Sequence, residues 1–229
     1  DLYSSKWNGT VWSAAAPIGG GINNSSDQYG VTYGVGGWCG AGKILYVSGE
    51  SLTSEDIYEA DFDPTTMSAS GKIKLPATIN TSGFTAYSVE LNPGCTNLIY
   101  DEFISGANIE LKQTVPGVWT PQLLTGVNTT KIESDPFLCG PLSAPESKLC
   151  FNRMPGIEGK GDLLQGDYNP GTATVTNIKS LNLALPGINE ADKYSYGGSV
   201  DPDGVLAYSK GSPGTIPISI IEEQLYRSS

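Results

Sequence analysis

The 229-residue chain has no histidine and sets 13 Lys plus Arg against 24 Asp plus Glu, a formal charge of -11 that repels nucleic-acid phosphates and anionic membrane surfaces. Neither nucleic acid nor membrane is expected as a partner, and the most apolar run, residues 216–221, falls far below the ~20 residues of a membrane-spanning helix. Only 16% of residues are charged while glycine (29) and proline (15) abound, which excludes long helices and points to short strands joined by tight turns in one domain, residues 1–229.

The chain repeats itself. An apolar residue followed by asparagine recurs as Ile22-Asn23, Ile79-Asn80, Val127-Asn128 and Ile188-Asn189, with the asparagines 57, 48 and 61 residues apart. After each phrase come an aromatic strand, a turn and a second apolar strand, then a third strand of alternating character and a fourth that leads to the next phrase. The first repeat predicts strands over 29–33, 43–47, 56–60 and 72–77, and the second over 86–91, 97–100, 108–111 and 119–124. The third predicts strands over 136–139, 148–151, 162–165 and 174–185; the fourth predicts 194–200 and 205–208, with the run from Pro217 in the third place. Four strands per period of about 50 residues is the pattern of propeller blades.

Residues 1–5 and 224–228 both read like a third strand, and residues 11–17 like a fourth strand with no blade of its own. The N-terminal segment is therefore expected to join the last blade, since otherwise the first and last blades would each leave a strand edge unpaired. The fold class is all-β: a small β-propeller of four blades, each of four antiparallel strands, with five blades as the alternative.

Trp12-Ser13, Ile22-Asn23, Tyr29, Gly42-Lys43-Ile44-Leu45-Tyr46 and Asp56-Ile57-Tyr58 resemble the repeat of TolB-type, WD40-like propeller proteins. Val200-Asp201-Pro202-Asp203-Gly204-Val205 resembles the family's Pro-Asp-Gly turn, Leu91-Asn92-Pro93-Gly94 is a weaker copy, and the third repeat departs from it with Pro145-Glu146-Ser147-Lys148. The resemblance implies a propeller fold and leaves the activity open.

Cysteines stand at 39, 95, 139 and 150 without the close paired spacings of a zinc site. Cys39 and Cys95 fall in the first-hairpin turns of neighbouring blades, and Cys139 and Cys150 on the paired strands of the third hairpin, so the expected bridges are Cys39–Cys95 and Cys139–Cys150. Sequons at Asn8, Asn23, Asn24, Asn80 and Asn128, together with an even cysteine count and a first residue that is not Met, lead to a secreted, glycosylated, monomeric protein. Three of the repeat asparagines lie in these sequons, so glycans would crowd the loop face of the ring.

On that face the starts of the inner strands gather Asp27, Tyr29, Tyr87, Glu133, Asp135, Glu190, Asp192 and Lys193 toward the mouth of a central channel. Carboxylates so placed could divide acid and base roles in glycoside cleavage or hold a hard cation such as calcium. No G-x-S-x-G elbow and no phosphate-binding glycine loop occurs, and without histidine the usual Ser-His or Cys-His activation is excluded. The aromatic residues, with the tryptophans at 7, 12, 38 and 119 away from the mouth, are expected mostly in the core, with sugar-stacking platforms as the alternative. No cofactor is expected beyond calcium. The function that fits is a non-catalytic binding or scaffold module for a carbohydrate or protein ligand, with a glycoside-active enzyme as the alternative.

Overall fold

The computed structural model describes residues 1–6, 8–51, 54–80, 86, 88–92, 95–103, 107–115, 118–141, 144, 147–156, 158–200, 205–211 and 219–224, with the side chains of 50, 51, 54, 102, 103, 107–115, 118, 196 and 219–224 outside that description. The chain is all-β. One antiparallel sheet joins β3 (Gln28–Gly34), β4 (Lys43–Ser51), β5 (Ser54–Asp63) and β6 (Ser68–Lys74) in chain order. A second joins β7 (Val89–Leu91), β8 (Asn97–Phe103), β9 (Ala107–Val115) and β10 (Val118–Leu123), and a third joins β11 (Ile132–Leu138), β12 (Lys148–Met154), β13 (Asp162–Asn169) and β14 (Thr174–Ser180). In the last sheet β15 (Tyr194–Val200), β16 (Val205–Gly211) and β17 (Ser219–Gln224) pair in order. Among the described residues no helix is long and apolar enough to cross a membrane.

Contacts gather the chain into two compact units, Asp1–Leu98 with Gln113–Pro121 and Ile99–Lys112 with Gln122–Ser229. The core of the first unit is built on Leu2, Ile18, Ile22, Ile44, Tyr46 and Tyr58. The second unit holds two clusters, one around Leu149, Phe151, Leu164 and Val175 and one around Phe137, Leu163, Ile188 and Tyr208. Second strands are continuously apolar because both faces of the sheet are covered: Ile44-Leu45-Tyr46-Val47 and Leu149-Cys150-Phe151 are buried at every position. Fourth strands are edges, and β6 buries only Ala69.

The repeated asparagine is a clamp. Asn80 Nδ2 donates to the carbonyls of Ile57 (3.0 Å) and Leu75 (3.0 Å), while its Oδ1 accepts from the Ile57 amide (2.9 Å). Asn189 does the same to Leu163, accepting from its amide at 2.8 Å and donating to its carbonyl at 3.1 Å. Asn23 grips Leu2 likewise, at 2.6 and 2.9 Å, and also donates to Ile18 O. Asn128 Nδ2 donates to Leu124 O at 3.2 Å. Asn80 and Asn189 thus each exchange both backbone bonds with a third-strand residue, as a neighbouring strand would, and Asn23 does the same with Leu2 beside β1. The apolar residue before each asparagine is fully buried, with Ile22, Ile79, Val127 and Ile188 at 0–1% exposure.

Two expectations about extent are corrected. The fourth strands stop short of the Asn phrase: β6 ends at Lys74, and Ile79 and Asn80 close a turn on the carbonyl of Pro76. In the third repeat β14 ends at Ser180, whose hydroxyl caps a 3-10 turn, Leu181–Leu183, by accepting from Asn182 N. The segment then bridges sideways to an outer strand, with Gly19 beside Ser68 and Thr125 beside Thr174. Gly20 and Gly126, both left-handed at φ 90°, lie against the backbone of Ala69 and Val175, where a Cβ would collide. At the N-terminus, β1 (Tyr3–Ser4) pairs with β2 (Ala16–Pro17) as a third strand does with a fourth, over a shorter stretch than residues 11–17. The Asp201–Gly204 turn lies outside the described residues.

Both expected disulfides are present, Cys39–Cys95 and Cys139–Cys150, and the described residues include no free cysteine. Gly34 packs beneath the sulfurs of the first. Two such bridges fit an oxidising compartment.

Replacing Asn80 or Asn189 by Ala strands a buried third-strand N–H and C=O, so each variant is expected to lose about 2–4 kcal/mol in urea unfolding; a loss near zero would mean that water takes over the amide's bonds. Opening the Cys39–Cys95 loop, whose ends are 56 residues apart, is expected to cost about 4 kcal/mol against about 3 for Cys139–Cys150, 11 apart, read as the melting of each paired Cys→Ser variant.

Candidate functional site

Of the acids expected at a channel mouth, Glu133 and Glu190 are engaged by neighbouring side chains. Glu133 lies in β11 directly opposite Arg153 of β12, fully buried, and its carboxylate accepts from Arg153 Nε at 2.8 Å, from the Thr129 hydroxyl at 2.6 Å and from the Thr129 amide at 3.0 Å. Arg153 also donates to Val127 O, tying the ion pair to the turn beside the Asn128 clamp. Removing either partner would leave the other charged and buried, which marks the pair as structural. Glu190 is bound by Lys210 Nζ, which also donates to Gly187 O. Asp192 is exposed, with Lys193 Nζ at 4.0 Å. Asp27 is exposed and Tyr29 half-buried on β3, while Tyr87 lies outside the described residues.

Asp135 is different. Three inner strands break register at the same place, between Tyr29 and Thr32, Ser134 and Phe137, and Tyr196 and Gly198, so a bulge recurs in β3, β11 and β15. Gly30 takes the left-handed conformation in β3 at φ 55°, and Asp135 takes it in β11 at φ 50°. Its amide donates to buried Asp101 Oδ2 at 3.3 Å. Loss of solvent raises the Asp135 carboxyl above its usual range, against the lowering effect of Ser134 Oγ and the Gly197 amide. A strained backbone with a displaced carboxyl is the one feature of the predicted acids that chemistry could use. Among the described residues no three carboxylates or other ligating side chains come together as a metal centre requires.

The sequons divide by the same bonds. At Asn23 and Asn80 both protons of Nδ2 are given to backbone carbonyls, and at Asn128 the amide is half-buried and donates to Leu124 O. A glycan takes one of those protons, so a sugar at Asn23 or Asn80 would cost the fold one of these bonds. Asn8 and Asn24 are exposed.

An open cavity of about 500 Å³ lies in the first unit, on the face of the first sheet. Leu45, Glu59 and Ile73 cross that face as opposed residues of β4, β5 and β6, and Trp38 and Trp119 stand among the walls. Trp38 is carried on the 3-10 turn Gly37–Cys39, stapled by the Cys39–Cys95 bridge, and is 44% exposed. Trp12 is 66% exposed, so neither side chain is in the core as expected. A more open hollow of about 850 Å³ is also lined by Trp38 and Lys43. At the cavity wall Lys43 Nζ is 3.1 Å from Asp61 and 3.6 Å from Glu59, and Lys74 Nζ is bonded to buried Asp56 at 2.6 Å. Large apolar walls with a few convergent polar groups are the make-up of small-molecule sites.

The fold is similar to that of TolB-type β-propeller proteins. TolB from Acinetobacter baumannii matches with a TM-score of 0.52 at 15% identity, over 80% of this chain and 38% of its own. A protein of Agrobacterium tumefaciens assigned as TolB matches with a TM-score of 0.53 at 10% identity, over 80% of this chain and 61% of its own. The chain spans less than two thirds of the length of either. No protein-family model matches it, and no curated protein matches it.

Because its folded carboxyl holds a proton more tightly than the unfolded one, Asp135 withdraws stability as pH rises from below its unfolded value through its raised folded value. Asp135→Asn stays neutral and tolerates the left-handed backbone. It is expected to raise the melting temperature at pH 7 and to change it little at pH 3; an equal shift at both would refute the assignment.

Proposed function

We propose that the chain is a secreted, non-catalytic binding module, a four-bladed propeller closed through its N-terminal strands, that takes its ligand in the tryptophan-walled cavity of the first unit. The observation that carries this reading is a contrast. Glu133 is held by Arg153 and Thr129, and Glu190 by Lys210, whereas Trp38 stands solvent-exposed beside an open cavity. Glycoside cleavage asks for two carboxyl groups free to face one bond from opposite sides. Glu133 is buried in its ion pair and so is not free to act as a second acid beside Asp135. The disulfides and the exposed sequons at Asn8 and Asn24 support an extracellular setting.

Reducing-end release from a panel of polysaccharides and aryl glycosides is expected to stay at the blank rate for the wild type. Turnover that Asp135→Asn abolished without loss of fold would overturn the non-catalytic reading. Thermal melting against a small-molecule panel is expected to show stabilisation by one ligand class.

A further inference from the structure

Resting on the reading of the cavity as the binding site, we propose that its ligand is a neutral oligosaccharide, with Trp38 and Trp119 as stacking faces and the Lys43–Glu59 pair bonding the sugar hydroxyls. Charge decides between ligand classes. Lys43 already faces two carboxylates, Glu59 and Asp61, and Lys74 is bonded to Asp56. The wall therefore offers no ammonium without a counter-ion to an anionic ligand, and the chain's charge of -11 opposes one at long range. Glu59 is likewise engaged by Lys43, so a cation meets no spare carboxylate on the wall.

A wholly apolar ligand is disfavoured for the opposite reason. Seated against Leu45, Ile73 and Leu75, it would strip water from Lys43 and Glu59, whose side chains keep 28% and 21% exposure, and return no hydrogen bonds. A hydroxyl group both donates and accepts, so it can take one bond from the Lys43 ammonium and give one to the Glu59 carboxylate without breaking the pair. A pyranose adds flat C–H faces matched to indole rings. A cavity of about 500 Å³ lies within the range of small-molecule sites. Trp38 at 44% and Ile73 at 57% exposure leave the apolar wall open to such a ligand.

The test is titration of the full chain with neutral oligosaccharides (gluco-, xylo-, manno- and chito-series) by calorimetry and tryptophan fluorescence, with a proline-rich peptide as the competing class. One series is expected to bind, and Trp38→Ala is expected to weaken it at least tenfold. Trp119→Ala should do the same while Trp119→Tyr, which restores an aromatic face, recovers most of the affinity even if the alanine variant folds poorly. Trp12→Ala, outside the cavity wall, is expected to change nothing. Peptide binding that Trp38→Ala removes, with no sugar bound, would overturn the sugar assignment and leave the cavity as the binding site. Sugar binding unaffected by both Trp38→Ala and Trp119→Ala would overturn the cavity itself, and the absence of any binding would overturn both readings.

Discussion

A β-sheet that gives its chain to the next sheet must release its last strand, and the release leaves backbone groups of the third strand without partners. In this protein the repeated asparagine solves that problem at three of its four positions. A carboxamide carries the same donor and acceptor as a peptide group, so Asn23, Asn80 and Asn189 continue the ladder by one rung after the backbone has turned away. No other residue type of this size offers both groups: Asp lacks the donor, and Leu lacks both. The buried Ile or Val before the asparagine anchors the turn in the core, and the left-handed glycines at 20 and 126 let the departing segment touch the next outer strand. Turn, anchor and clamp act together as one device.

Much of this was legible. Continuous apolar runs marked the second strands, and the spacing of the Ile/Val-Asn phrases marked the repeats, because both follow from burial and backbone geometry that each repeat must satisfy. The asparagine's role was legible only as a turn, since its partner lies 21 to 26 residues upstream on another strand. Leu181, Leu183 and Leu185 alternate like a strand, yet Leu181 is buried and Leu183 is 75% exposed, because Ser180 caps a 3-10 turn there. The hairpin Asp63-Pro64-Thr65-Thr66-Met67-Ser68 and its counterpart Asn169-Pro170-Gly171-Thr172-Ala173-Thr174 share side-chain-to-amide bonds and a left-handed residue at 67 and 173. Their shared Asp/Asn-Pro start was a signal in plain view.

The site was harder to read for a specific reason. Starting the third repeat's first strand at 136 rather than at Ile132 left Glu133 and Asp135 as loop charges. With the strand beginning four residues earlier, antiparallel register places Arg153 opposite Glu133 and makes one of the acids expected at the channel mouth half of a buried ion pair. Trp38 carried its own clue: flanked by Gly36, Gly37 and Gly40, it has few apolar neighbours in sequence to bury it.

The clamp also sets how this protein ages. Hydrolysis of a side-chain amide to a carboxylate, the slow chemistry to which asparagine is prone, changes a single group at Asn80 or Asn189. It would place a negative charge where Nδ2 now meets the carbonyls of Ile57 and Leu75, or of Leu163. Attraction becomes repulsion at a buried point, and the rung is lost. Shelter from water at 6% and 5% exposure is thus part of the device, since it keeps solvent from the bond whose loss would undo the splice between one repeat and the next.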